Sequence, residues 1–225
     1  MVQIFSTYGQ LLLTAMGQTL LLALCGLFFG CILGIIFGLS SVVDNKISKT
    51  ISVIYVNLIR GVPMIVLAFF VFYGVPYGIR TFFGMKYTLT SLQAGTICLA
   101  LNCGAYMSEI IRAGIQSIDP GQMEAARSLG LSYWRSMFRV VLPQAIKNIL
   151  PTLGNEFIVL VKDTSIVSFI AVVDITKAFR QIGDANYSYI IPYLMLALVY
   201  LVVVILFTLL IKLMERRLAR SERHS

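Results

Sequence analysis

Three charged side chains interrupt an apolar stretch in the second half of the chain. Glu156, Lys162 and Asp163 all fall between about residues 146 and 173, a stretch otherwise typical of a membrane helix. A charge at the bilayer centre costs about 2.5–3.5 kcal/mol on insertion scales, so such a group needs a partner, a cavity or a function. The pattern indicates either a structural ion pair, with Arg60 as a further partner, or a water-lined site for a small charged substrate.

Helix geometry relates these charges to one another. Glu156 and Asp163 lie seven residues apart and share one face. In an unbroken helix, Lys162 and Asp163 point about 100° apart. Pro151 and Gly154 lie just upstream and are residues that loosen a helical backbone. Because discontinuous helices near the midplane bind small charged substrates, we favour the substrate site over the ion pair.

Five apolar runs provide the elements that position these residues. The chain is 58% hydrophobic and 12% charged, whereas soluble domains are about 25% charged, so the bilayer is the expected solvent. A crossing needs about 20 mainly apolar residues. The runs that meet this length cover about residues 11–43, 50–77, 89–111, 146–173 and 189–211. We therefore predict an all-α, polytopic membrane protein with five transmembrane helices.

Lysine and arginine positions predict the orientation of these helices. Twelve of the 18 lie on one side of the predicted spans and four on the other, while Arg60 and Lys162 lie within spans. The positive-inside rule places the N-terminus outside and the C-terminus in the cytoplasm. Residues 112–147 then form the longest cytoplasmic loop. The basic residues are not interleaved with aromatic residues, so the net charge of +8 does not indicate nucleic-acid binding.

Small residues in the first run predict close helix packing. Glycines recur there every four residues, at positions 26, 30, 34 and 38, and share one helix face. The face contacts either another helix of this chain or a second subunit. The four cysteines all lie in apolar runs without a CxxC pattern, which predicts neither a disulfide framework nor a metal site.

The cytoplasmic loop contains a short predicted helix. Asp119 is a suitable N-cap, Pro120 suits the first helical position, and residues 124–126 have high helix propensity. Gly130 is a residue type that ends helices. The result is a helix of about two to three turns, which is either an ordinary connection or a surface on which a partner docks.

Several ordered sequence motifs resemble those of a known family. Residues 124–126 (EAA), Gly130 and residues 140–143 (VVLP) resemble the EAA loop of ABC importer permeases, although the family usually has isoleucine at the position of Val140. Four further motifs are similar to those of the polar amino-acid uptake branch: RGVP at 60–63, YMSEIIR at 106–112, LPQA at 142–145 and KDTS at 162–165. The resemblance covers about residues 10–215.

The resemblance implies a single transmembrane permease domain over residues 1–225, with a coupling loop at about 112–147, in the bacterial cytoplasmic membrane. The loop helix would dock into an ATPase subunit and couple ATP hydrolysis to transport through Glu124, Ala125, Ala126 and Gly130. Expected partners are two ABC ATPase subunits, a second permease subunit (identical or different), an extracytoplasmic solute-binding protein, the amino-acid substrate and membrane lipid.

No cofactor is expected to be bound by this chain. The sequence lacks the GxxxxGK[ST] motif that cradles phosphates, so ATP would be used by the partner subunit. The chain is therefore expected to be a non-catalytic subunit rather than an enzyme.

An amino-acid zwitterion suggests roles for the charged residues. Lys162 would bind its carboxylate, Asp163 and Glu156 its ammonium or polar side chain, and Thr19 would add a hydroxyl. The alternative function is an ion- or proton-coupled secondary carrier with Glu156 and Asp163 as a proton relay, which predicts uptake without an ATPase and leaves the loop helix unexplained. A membrane enzyme is a third possibility, but the sequence offers no nucleophile–base pair or metal cluster.

Overall fold

The computed structural model describes the backbone of residues 2–222 and the side chains of residue 4 and residues 6–214. This part of the chain is almost entirely helical and contains no strands. Four of its helices are long and apolar enough to cross a membrane: Ser6–Val42, Met64–Phe83, Ser91–Gln116 and Ile190–Met214. The predicted all-α membrane fold is confirmed. The four helices correspond to the first, second, third and fifth predicted spans.

The helices between residues 2 and 222 are labelled in chain order. They are α1 (Val2–Val42), α2 (Lys46–Gly61), α3 (Met64–Phe69), α4 (Val75–Phe83), α5 (Ser91–Gln116), α6 (Pro120–Ser128), α7 (Tyr133–Ser136), α8 (Leu142–Val167), α9 (Ile175–Asn186) and α10 (Ile190–Glu222). Two π-helical segments, Phe70–Gly74 and Met137–Val141, join α3 to α4 and α7 to α8, and a 3-10 turn, Ser168–Ile170, follows α8.

The second predicted span is interrupted near its middle. Helix α2 ends at Gly61 and α3 begins at Met64. Pro63 lacks a backbone N–H and disfavours helical backbone in the preceding residue, and Val62 is accordingly extended, with φ −105° and ψ 133°. The RGVP motif at 60–63 therefore contains a break between two helices.

Helix α8, in contrast, is continuous. Pro151 lies inside it without ending it, so α8 is not the discontinuous helix that sequence reasoning favoured. Gly154 instead provides close packing, because a Cβ there would lie 3.1 Å from the side chain of Ile211 in α10. The charges of α8 lower its hydropathy, which explains why it is not among the four helices selected by composition.

Helices α1 and α5 pack against each other and run in the same direction. Each glycine of the four-residue repeat faces the α5 residue 73 positions later, in the pairs Gly26–Leu99, Gly30–Cys103, Gly34–Met107 and Gly38–Ile111. A Cβ on any of the four would meet the facing side chain at 2.9 Å or less. The interpretation of the repeat as packing within the chain is confirmed.

Helix α5 is the central helix of the bundle. In its most apolar 18-residue window 61% of residues are buried, against at most 28% in the other three candidate spans. Helix α8 runs antiparallel to α5, because Gly114 faces Ile149 near the start of α8 and Gly95 faces Val167 at its end. Helix α9 packs on α1 and α10 through a separate apolar cluster that contains Leu12, Phe179 and Met195.

Candidate functional site

The charged residues of α8 lie where this helix packs against α1 and α5. Glu156 is 8% exposed, Asp163 is half-buried and Lys162 is exposed. Because α8 is continuous, the seven-residue spacing places both carboxylates on one face, as the sequence predicted. The Nδ2 group of Asn102, on α5, donates to Oδ2 of Asp163 at 3.5 Å.

Neither carboxylate on this face forms a salt bridge with a basic side chain that the structure describes. The ion pairs among the described side chains are Arg60 with Glu109 and Arg112 with Glu109, the latter at 3.6 Å. The alternative in which Arg60 balances the charges of α8 is therefore wrong. Lys162 forms no salt bridge with any described side chain. A carboxylate is an acceptor with several lone pairs, so this face retains capacity to bind an ammonium group.

Asn102 is the site residue that sequence reasoning missed. It is a half-buried polar residue in an apolar stretch of α5, and it lies 61 positions before Asp163. The available signal was its polarity within a predicted span. Its partner became apparent only when the antiparallel packing of α5 and α8 was known.

Thr19 lies in a different environment from the one predicted for it. Its side chain is fully buried, and its hydroxyl donates to the carbonyl oxygen of Ala15 at 2.9 Å. The hydroxyl oxygen of Thr19 also accepts from the backbone N–H of Ile175 at 3.0 Å. Thr19 thus joins the start of α9 to α1. No hydrogen bond connects it with the carboxylates of α8, and a direct substrate contact by Thr19 stays a prediction.

The loop helix α6 forms where the sequence predicted it. Oδ1 of Asp119 accepts from the backbone N–H of Gly121 at 2.8 Å, and Pro120 is the first helical residue. After the helix ends at Ser128, Gly130 adopts a φ of +85°, in the left-handed region that favours glycine. The predicted helix and the sharp turn after it are both confirmed.

The four residues predicted to contact the ATPase differ in accessibility. Glu124, Ala125 and Gly130 are exposed, whereas Ala126 is 5% exposed and faces the rest of the chain. Leu129, which sequence reasoning did not include, is 84% exposed. The accessible surface of α6 therefore combines a carboxylate, small residues and one large apolar side chain.

Residues 26–220 match the protein family described as the binding-protein-dependent transport system inner membrane component. The chain belongs to this family. The permease is 35% identical, over 211 residues and 94% of each chain, to the arginine transport system permease protein ArtQ of Bacillus subtilis (strain 168).

Two solved structures resemble the permease. One is a crystal structure of an amino acid ABC transporter with histidines, at 40% identity and a TM-score of 0.85, over 95% of this chain and 96% of that one. The other is the inward-facing MetNI methionine ABC transporter, at 20% identity and a TM-score of 0.77, over 94% and 98%. The second likeness shows the fold alone.

Membership of the family defines the general role of the permease. It is a non-catalytic membrane subunit, and ATP hydrolysis takes place in a separate ATPase subunit. The family also implies a binding-protein partner and a second permease subunit.

Proposed function

We propose that this permease imports polar amino acids into the bacterial cytoplasm, driven by ATP hydrolysis in its partner subunit. The observation that carries the proposal is the pair of carboxylates on one face of α8, beside Lys162, none of which forms a salt bridge with a side chain that the structure describes. A zwitterionic amino acid carries an ammonium group that complements the two carboxylates and a carboxylate that complements Lys162. The similarity to ArtQ and to an amino acid ABC transporter supports the same substrate class.

Each site residue has a proposed role. Lys162 binds the substrate carboxylate, while Asp163 and Glu156 bind the ammonium or a polar side chain. Asn102 orients Asp163 through the hydrogen bond between them. We propose an indirect role for Thr19, since its hydroxyl is already engaged by two backbone groups.

We propose five membrane crossings within a single transmembrane domain of residues 1–225, with α8 as the fourth crossing in chain order. Its antiparallel contacts with α5 extend from Gly114 to Gly95, so a bilayer that covers α5 also covers α8. Helices α2, α3 and α4 together make the second crossing. The lysine and arginine distribution supports an outside N-terminus and a cytoplasmic C-terminus in the bacterial cytoplasmic membrane.

The proposed assembly contains two permease subunits, two ATPases and an external solute-binding protein. Helix α6, within the coupling loop of residues 112–147, docks on the ATPase through Glu124, Ala125 and Gly130, while Ala126 holds the helix against its own subunit. The exposed side chain of Leu129 adds an apolar contact. The permease itself binds no cofactor, and ATP is used by the partner.

ATP-driven uptake of labelled amino acids into proteoliposomes that contain the whole complex tests the substrate site. Asp163→Asn and Lys162→Met each remove one charge, and a hydrogen bond to a charged group contributes about 1.5–3 kcal/mol, which is about 10- to 150-fold in binding. Asp44→Asn and Lys46→Met make the same chemical changes at exposed positions between α1 and α2.

We expect a loss of at least tenfold in apparent affinity for both site variants and wild-type uptake for both controls, with assembly verified by size-exclusion chromatography. Unchanged uptake in both site variants would remove the substrate site. Uphill accumulation by the permease without an ATPase would favour the secondary carrier instead.

A further inference from the structure

A polar cavity lies between α1, α2 and α5. It has a volume of about 230 Å³, and its polar lining residues are Ser41, Lys49, Ser52, Asn57, Ser108, Glu109 and Arg112. The carboxylates of α8 do not line it. Pockets for drug-sized ligands measure about 300–1,000 Å³, so this cavity suits a smaller molecule.

One face of α5 connects this cavity with the proposed substrate site. Asn102, Tyr106, Glu109 and Arg112 follow one another at helical spacing, and Glu109 lies seven residues, or about 10 Å, beyond Asn102 along the helix. Tyr106 is 39% exposed, and the side chains of Glu109 and Arg112 are 38% and 44% exposed. Glu109 is thus a half-exposed charge within a predicted span, and such charges face water-filled space rather than lipid.

An ion pair lies at the wall of this cavity. Arg60, in the last turn of α2 before the break, pairs with Glu109, and its guanidinium lies 4.7 Å from the centre of the Tyr106 ring. Since Glu109 also forms an ion pair with Arg112 at 3.6 Å, two guanidinium groups share one carboxylate. A substrate that moves from the first site along α5 meets this cluster as it reaches the cavity.

The cavity carries an excess of positive charge. Lys49 and Arg112 are the basic lining residues and Glu109 is the acidic one, and Lys49 is exposed and forms no ion pair with the side chains that the structure describes. The hydroxyls of Ser41, Ser52 and Ser108 already donate to backbone carbonyl oxygens at 2.6, 2.7 and 3.0 Å. The charged donors at this cavity are therefore an ammonium and a guanidinium group, which suit a carboxylate, and the amide of Asn57 is a neutral donor beside them.

We propose that this cavity is a second amino-acid site on the cytoplasmic side, where Lys49 and Arg112 bind the carboxylate of the imported amino acid. The inference rests on the proposed function and its orientation, which place the end of α1 and the start of α2 at the cytoplasmic surface. Amino acid that accumulates in the cytoplasm occupies this site, opposes release from α8 and slows further import.

The test measures initial ATP-driven uptake into proteoliposomes preloaded with increasing concentrations of the unlabelled amino acid on the ATPase side. We expect the internal amino acid to inhibit the wild-type complex. Lys49→Gln and Arg112→Gln should each raise the half-inhibitory concentration about tenfold or more, the loss expected from one hydrogen bond to a charged group. Arg112→Lys keeps the charge and should retain most of the inhibition.

Lys46→Gln is the matched control, because Lys46 is exposed one turn before Lys49 and does not line the cavity. Absence of inhibition in the wild type, or equal inhibition in the Lys49, Arg112 and Lys46 variants, would overturn the proposal. So would inhibition by internal inorganic phosphate but not by the amino acid. A wild-type complex that transports no amino acid at all would instead refute the proposed function.

Discussion

The contact between α1 and α5 makes a quantitative prediction for the substitution Gly30→Ala. The added Cβ would lie 2.6 Å from Cβ and Sγ of Cys103, whereas ordinary contact begins at 3.4 Å, so the helices must separate by about 0.8 Å. Overpacking of this kind costs about 1–3 kcal/mol. The control is Gly17→Ala on the same helix, where no atom lies within 4 Å of the added Cβ.

Both substitutions gain the same helix propensity, about 1 kcal/mol, so the difference between them isolates the contact. At about 2–4 °C per kcal/mol for a chain of this size, Gly30→Ala should melt about 2–12 °C below Gly17→Ala. The assay is the fraction of purified complex that stays monodisperse after heating in detergent.

A compensating substitution tests the geometry directly. Cys103→Gly removes both atoms that the new Cβ would meet, so it should be less harmful, or even favourable, in the Gly30→Ala background. We expect a coupling energy of about 0.5–3 kcal/mol in the double-mutant cycle. Equal melting of Gly30→Ala and Gly17→Ala, or no coupling with Cys103, would refute the parallel packing of the two helices.

Three further predictions concern the contacts of α9 and α6. Thr19→Val leaves the buried N–H of Ile175 unpaired and should lower the free energy of unfolding by about 1–3 kcal/mol. The control Thr14→Val removes an exposed hydroxyl and should change the free energy of unfolding by less than about 0.5 kcal/mol. Equal melting temperatures of the two variants would contradict this prediction. Gly130→Val, at φ +85°, should let ATP hydrolysis continue without transport. The control Gly84→Val, at φ +67°, carries similar backbone strain and should leave ATP hydrolysis coupled to transport. Leu129→Ser should weaken ATPase binding about 10- to 100-fold in a pull-down titration, because burial of a leucine contributes about 1.5–3 kcal/mol, and wild-type affinity would exclude this contact.

Sequence reasoning succeeded where the determining interactions are local. The cap at Asp119, the first-turn Pro120 and the turn at Gly130 act within a dozen residues, and α6 forms as predicted. The break before Pro63 is equally local, because a proline restricts its own backbone and that of the preceding residue. The four-residue glycine repeat also indicated a close contact, although the repeat alone did not identify the partner helix.

The remaining features depend on partners distant in the sequence. Arg60 pairs with Glu109, 49 positions away, and the hydroxyl of Thr19 binds a backbone group 156 positions away. Arg60 was considered as a partner for the charges of α8 and Thr19 as a substrate contact, because spacing along one helix cannot reveal which helix faces it. Pro151 was expected to loosen α8, yet the helix continues through it.

The constant separation of 73 residues between facing positions of α1 and α5 has a consequence for biosynthesis. A ribosome that elongates at about 5–20 residues per second needs about 4–15 s to make the partner of each α1 residue. During that interval the glycine face of α1 lies in lipid without its native neighbour. The same face of α1 in another nascent chain can pack against it, because both consist of small residues. Slower translation between the two helices therefore lengthens the time in which α1 can dimerise with another α1 before it packs against its own α5.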